Sequence, residues 1–256
     1  MARAPIHPLW GLVEVAAVGA LFCTGLWLVG PRVEAGSAGV AAYWVWVIAG
    51  GLTVLWLSPV VLHCDPPELR GWGRRRANDP GAFANAWPTY ALFTVAAASL
   101  LIAFAAWRDP SLLAHIRWKA TGVKLMIYAV LGPVQALMFF GFLQTRIRTM
   151  LASAPLASEG LRRALVALLT SSGYALSHIP NGPLIALAFA VGLCWSWIFY
   201  ARPNVLLLGT CHAILGTILQ NVVMMYTRIG PFYAEPQRHA FVSAFPGLKA
   251  LIGNLM

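Results

Sequence analysis

The chain has 256 residues, of which 59% are hydrophobic and only 10% are charged. This composition excludes an ordinary soluble domain and indicates a polytopic membrane protein. The formal net charge is +10, but the Lys and Arg residues lie mostly in short loops between apolar runs. There they would set orientation and contact anionic head groups, so we expect membrane lipids rather than nucleic acid as partners.

Seven apolar segments are candidate membrane-spanning helices, for which roughly 20 residues suffice. In chain order they cover residues 8–30, 38–63, 88–107, 122–145, 164–179, 182–201 and 204–226. The first is too long for a signal-peptide core and lacks a small-residue cleavage motif, so we interpret it as a retained helix. The expected fold is an all-α, polytopic transmembrane helical bundle of about seven spans, or eight if the tail contributes one.

We expect three regions, the second of which is delimited by the motifs that it carries. Residues 1–120 would form N-terminal membrane helices, residues 121–226 a helical core, and residues 227–256 an interfacial tail. The long loop 64–87 combines Pro, Gly and charge, which predicts a position in water or in the head-group layer. Counting Arg146 among the loop arginines, we expect the N-terminus to lie in the cytoplasm. We expect the membrane itself to be the inner membrane of a bacterium.

Ionisable and amide side chains inside a bilayer are costly without a partner, so each one is a candidate site residue. We single out six such residues in the predicted spans: Glu14, Gln135, His178, His212, Gln220 and Asn221. Glu14 is the only acidic residue clearly inside a span. It would either extend to the membrane interface or pair with a neighbouring helix.

The two histidines differ in setting. His178 ends the fifth span, where the helix macrodipole favours a histidine for structural reasons alone. His212 lies in mid-helix among small residues that let backbones approach closely. A zinc site would require a third protein ligand, and the four scattered cysteines form no C-x-x-C pair, so we expect no metal site.

Ser171 and Ser172 precede His178 and raise the possibility of a serine protease. Ser172 and His178 are six positions apart, about 600° around a helix, and therefore point to well-separated faces. A catalytic base must lie within hydrogen-bond reach of its serine. We expect the hydroxyls to bond to the helix backbone or to a neighbouring helix instead.

Three short patterns between residues 120 and 226 resemble the motifs of a peptidase family. Gly141 and Leu143 match the end of E-E-x-x-x-R-G-x-L, Tyr174 and His178 match F-x-x-x-H, and His212 matches the histidine of H-x-x-x-N. These motifs are typical of the CAAX-protease and bacteriocin-processing family of intramembrane glutamate peptidases. The resemblance implies a helical bundle in which glutamates and histidines activate a water and stabilise an oxyanion.

The chain departs from these motifs at four polar positions. Gln135 and Ala136 replace the paired glutamates, Phe140 the arginine and Gly216 the asparagine. A glutamine amide has no usable basicity. General-base assistance contributes roughly 10²- to 10⁴-fold and an oxyanion donor about 10²- to 10³-fold, so losing both predicts little hydrolysis.

The segment "MFFGF" follows Gln135 directly and is strongly apolar. Its side chains, Met138, Phe139, Phe140 and Phe142, would form a soft wall suited to a helix, a lipid or an isoprenoid chain. The alternative is simple packing against neighbouring helices or lipid.

Three functions remain open from the sequence. The first is a non-catalytic, protease-like membrane protein that acts as a binding, accessory or assembly subunit of a membrane complex. The second is a divergent but active intramembrane endopeptidase that uses His178 and His212. The third is a binder of a hydrophobic small molecule such as a lipid, quinone or pigment, with one of these histidines as donor or axial ligand; otherwise we expect no cofactor.

Overall fold

The structure is a computed structural model that describes residues 8–65, 68–71 and 79–234. Within these ranges the secondary structure is helical and contains no strand, as the apolar runs predict. Nine α-helices follow in chain order: α1 (Pro8–Thr24), α2 (Ser37–Leu52), α3 (Phe83–Arg108), α4 (Ser111–Ala114), α5 (Trp118–Ala136), α6 (Thr145–Ala152), α7 (Glu159–Leu176), α8 (Gly182–Ala201) and α9 (Val205–Asn221).

Three of these helices continue as wide-turn π-helix. The extensions are Gly25–Val29 after α1, Thr53–Leu62 after α2, and Leu137–Gln144 between α5 and α6. Two 3₁₀ segments, Gly30–Ala35 and Gly230–Tyr233, complete the regular structure. Short π-helical insertions in α-helices frequently occur at functional sites.

Five helical stretches are long and apolar enough to cross a membrane: Leu9–Val33, Ser37–Leu62, Phe83–Arg108, Trp118–Ala152 and Gly182–Ala201. The shorter apolar helix Val205–Asn221 and the amphipathic α7 account for the two other predicted spans. The prediction of an all-α, polytopic membrane protein of about seven spans is therefore confirmed. The predicted eighth span lies in the tail, beyond the described residues.

The chain forms two compact units. One unit comprises the described residues of Met1–Pro66, Phe142–Trp197 and Arg228–Leu251. In this unit Trp46 donates a 2.7 Å hydrogen bond from its indole nitrogen to the carbonyl of Leu21. A Cβ on Gly25 would lie 1.8 Å from the Trp46 ring, so only glycine permits this contact between α2 and the end of the first span.

The other unit comprises the described residues of Pro67–Gly141 and Ile198–Thr227. Here α5 and α9 approach so closely that a Cβ on Gly132 would lie 2.4 Å from the carbonyl oxygen of Gly209. The expectation that small residues around His212 permit close helix packing is thus met at Gly209. Asn204 caps α9, since its side-chain oxygen accepts a 3.0 Å hydrogen bond from the Leu207 N–H.

Candidate functional site

Gln135 lies near the end of α5, in the position that the peptidase motif gives to a glutamate. It is half-buried, and its amide makes no hydrogen bond within the described residues. The next position, Ala136, is 1% exposed. The segment therefore presents one neutral amide and one methyl group where the motif would have two carboxylates.

The apolar segment after Gln135 does not form an open wall. Phe140 and Phe142 are 2% and 3% exposed, and the Phe140 ring packs 6.0 Å from that of Phe199. The idea that these two rings contact a lipid or an isoprenoid is therefore wrong, because intramolecular packing already covers them. Met138 and Phe139 are half-buried.

His178 is held by the end of α7. Its Nδ1–H donates to the carbonyl oxygen of Tyr174 at 2.9 Å, and the two rings meet edge-on with centroids 5.0 Å apart. Among the described residues no carboxylate contacts this imidazole. The hydroxyls of Ser171 and Ser172 donate to the carbonyls of Ala167 and Leu168, as expected for back-bonded serines.

His212 belongs to a polar group between α5 and α9. Its ring lies 6.1 Å from that of Tyr128, and Gln220 donates a short hydrogen bond to the Tyr128 hydroxyl. Asn221, at the end of α9, has a buried side-chain nitrogen with no hydrogen-bond partner in the described part of the chain. The structure thus gathers His212 and Gln220 around Tyr128, a residue that the sequence did not single out.

Glu14 pairs with residues from other segments of the chain, in a largely buried cluster of five polar residues. We call this group the Arg146 cluster; it consists of Glu14, Ser58, His63, Asp65 and Arg146. Arg146 is 0% exposed. Its Nε lies 2.8 Å from one Glu14 oxygen, and its Nη2 lies 2.7 Å from Asp65.

The remaining contacts of the Arg146 cluster give both oxygens of the Glu14 carboxylate a partner. The other Glu14 oxygen lies 2.6 Å from Nε2 of His63, and Ser58 accepts a 2.9 Å hydrogen bond from Arg146 while donating to Glu14. The Asp65 pair is a charge contact only, because its atoms are close without hydrogen-bond alignment. Glu14 is thus paired on both oxygens, and no contact joins it to His178 within the described chain.

Backbone geometry at the end of the second span brings His63 and Asp65 into this cluster. The π-helix Thr53–Leu62 contains Pro59, whose carbonyl accepts a 2.7 Å hydrogen bond from the Asp65 N–H. Between them Cys64 has a positive φ of 45°, uncommon for a residue with a side chain. This turn folds the chain back so that Asp65 is buried rather than in the loop.

Comparison with known families addresses the segment that carries the motifs. Residues 117–218 match the family model described as type II CAAX prenyl endopeptidase Rce1-like. The segment is Rce1-like. The resemblance seen in the motifs is thereby confirmed for this part of the chain, which contains Gln135, Arg146, His178 and His212. The comparisons with curated proteins and with solved structures gave no significant match.

The Arg146 cluster corrects two sequence-based expectations. The sequence predicts a loop position for Arg146, but the helical stretch Trp118–Ala152 continues past it and its side chain is buried. The sequence predicts that Asp65 belongs to a loop in water or in the head-group layer, but Asp65 is only 8% exposed. An arginine directly after a long apolar run, with no turn signal between, is the one local clue to its burial.

The chemistry of the cluster follows from its charges. Two carboxylates face one guanidinium, so the positive charge is fully compensated, and the guanidinium would repel a metal cation from the space between them. Within the described chain no group of three His, Cys, Asp or Glu side chains could hold a metal ion. Glu14, Ser58, His63 and Asp65 all precede the Rce1-like segment, which supplies only Arg146.

Proposed function

We propose that this CAAX protease-type membrane protein is non-catalytic at its family-matched positions and acts as a binding, accessory or assembly subunit of a membrane complex. The observation that carries the proposal is the neutral amide of Gln135 beside Ala136, in a segment that is otherwise Rce1-like. Without a carboxylate there, no group at this position takes a proton from water. The proposed setting is the bacterial inner membrane, with the N-terminus in the cytoplasm.

The state of the remaining acids supports this proposal. Glu14 and Asp65 are both paired with Arg146, so both carboxylates are engaged within the chain. These two ion pairs stabilise the packing of the N-terminal helices against α6, and neither carboxylate contacts His178 within the described residues. The Rce1-like segment then retains the helices of a peptidase for contact with another membrane protein.

Native purification tests the proposal. The tagged chain would be extracted from its own membranes in mild detergent, and a same-sized membrane protein with the same tag would serve as control. We expect one integral membrane partner in a fixed ratio, recovered again when the tag is moved to that partner. A chain that is always recovered alone would contradict the proposal.

The contact between Glu14 and His63 favours one alternative, a divergent active endopeptidase. In this alternative Glu14 orients His63, and His63 takes a proton from the water that attacks the scissile carbonyl. Cleavage of a membrane substrate would then be abolished by Glu14→Gln and by His63→Gln. The version based on His178 and His212 predicts the same loss for His178→Ala and His212→Ala instead.

A further inference from the structure

Three buried side-chain oxygens lack a partner where the end of the π-helical segment Leu137–Gln144 meets α7 and α8. They belong to Gln144, Thr170 and Ser196, which are 2%, 0% and 0% exposed. None of the three oxygens has a hydrogen-bond partner in the described part of the chain. A buried amide or hydroxyl oxygen in this state is costly, and such groups in native proteins are paired with protein or with ordered water.

Gln144 connects the π-helical segment to α8. Its side-chain nitrogen donates a 2.9 Å hydrogen bond to the backbone carbonyl oxygen of Ser196. Because this partner is an acceptor, the amide nitrogen must face it, and the amide oxygen is left without a donor. The bond joins Gln144 to the residue that carries one of the unpaired hydroxyls. The unpaired oxygens of these two residues therefore lie within a few ångströms of each other.

Thr170 lies at the same level on α7. A short turn joins α7 to α8, and the two helices pack antiparallel, so that a Cβ on Gly192 would lie 3.1 Å from the Tyr174 ring and 3.3 Å from Ser171. One helical turn back from Tyr174 is Thr170, and one turn forward from Gly192 is Ser196. The hydroxyls of Thr170 and Ser196 thus belong to facing surfaces of the two helices.

We propose that one ordered water molecule binds between Gln144, Thr170 and Ser196 and hydrogen-bonds to all three side chains. A water donates two hydrogen bonds and accepts others. It can donate to the Gln144 amide oxygen and to one hydroxyl oxygen, and accept from the other hydroxyl. Three bonds to otherwise unpaired groups are typical of a buried water. One water also links oxygens up to about 5.5 Å apart, which no direct hydrogen bond does.

The burial and the neutrality of the site favour water over other ligands. A lipid or another protein does not reach oxygens that the chain already covers. An ion would bring a charge that three neutral groups do not balance, and a buried unpaired charge is far more costly than an unpaired amide. All three residues belong to the Rce1-like segment. The inference is independent of the proposed function, because the water would hold these helical segments together in an active or an inactive chain.

Removal of each hydroxyl tests whether it has a partner. If water binds there, Ser196→Ala and Thr170→Val should each raise the equilibrium constant for unfolding about 5- to 30-fold, as for the loss of one buried hydrogen bond. Ser171→Ala is the matched control, since its hydroxyl bonds to the Ala167 carbonyl of its own helix. It should change the constant by no more than about twofold. Deleting a buried hydroxyl that has no partner is neutral or stabilising, so an unchanged or lower constant in Ser196→Ala or Thr170→Val would overturn the proposal.

A crystal structure of the full chain in a lipid mesophase, at a resolution that shows ordered water, tests the identity of the ligand. We expect density for one water within about 3.2 Å of the side-chain oxygens of Gln144, Thr170 and Ser196. Direct hydrogen bonds among these three side chains would refute the proposal even if the stability measurements agree with it. Another side chain of the protein at this position would refute it equally.

Discussion

The Arg146 cluster and the family-matched positions differ in the charge and the pairing of their polar groups. In the cluster, Arg146 and Glu14 are charged groups held by short contacts that the chain itself supplies. At the family-matched positions the chain places a neutral amide, Gln135, and an imidazole, His178, bonded to its own helix. The contrast shows that this chain uses its intramembrane charges for ion pairing and leaves the peptidase motif without an acid.

Replacement of Arg146 should disrupt the ion pairs of the Arg146 cluster. Arg146→Met would leave Glu14 and Asp65 buried without their cation, and we expect the free energy of unfolding to fall by about 3–5 kcal/mol. Reversible unfolding in mixed micelles, followed by tryptophan fluorescence, measures the change. Lys119→Met, which removes an exposed positive charge, should alter it by no more than about 0.5 kcal/mol. Equal stability of the two variants would show that the cluster is not a structural ion pair.

Close packing against α9 should make α5, the helix that carries Gln135, intolerant of a larger residue at Gly132. A Cβ at Gly132 would lie 2.4 Å from the Gly209 carbonyl oxygen, so Gly132→Ala must separate α5 from α9. We expect a loss of about 1–3 kcal/mol in the free energy of unfolding, the usual cost of overpacking. Gly122→Ala is the control on the same helix, because its Cβ meets open space. A similar loss in both variants would mean that backbone freedom, not the close approach, requires glycine at position 132.

The cap of the helix that carries His212 gives the smallest effect. Asn204→Ala removes the acceptor for the Leu207 N–H and the donor to the Gly81 carbonyl. The free energy of unfolding should fall by about 1 kcal/mol. Thr210→Ala, in the same helix, removes only a hydroxyl bonded to its own turn and should change stability by less than about 0.5 kcal/mol. No difference between the variants would show that α9 does not depend on its cap.

Much of the helical architecture follows from local sequence. Long apolar runs predict membrane helices because the bilayer fixes their length, and Ser158 and Asn204 mark helix starts by side-chain capping. The hydroxyls of Ser171 and Ser172 bond back to their own helix, which is one of the two arrangements that the sequence predicts for them. In each case the deciding interaction lies within a few residues along the chain.

The Arg146 cluster could not be predicted in this way. Glu14, His63 and Arg146 are separated by dozens of residues, and no local pattern records which of them meet. The rule that arginines beside apolar runs lie in loops predicts that Arg146 is exposed to water. The rule is wrong here because the helix continues past the charged residue. The positive φ at Cys64, which returns Asp65 to the cluster, likewise could not be predicted, because the position holds neither glycine nor asparagine, the residues that commonly adopt a positive φ.

The measurement that tests the central claim most directly is cleavage of a prenylated CAAX-type peptide by the purified chain in liposomes. Wild type, Glu14→Gln and His178→Ala would be compared with empty liposomes at matched lipid and peptide concentrations. We predict the same background rate in all four samples. Cleavage by the wild type that Glu14→Gln or His178→Ala abolishes would contradict the account and identify the acid or the base of an active peptidase.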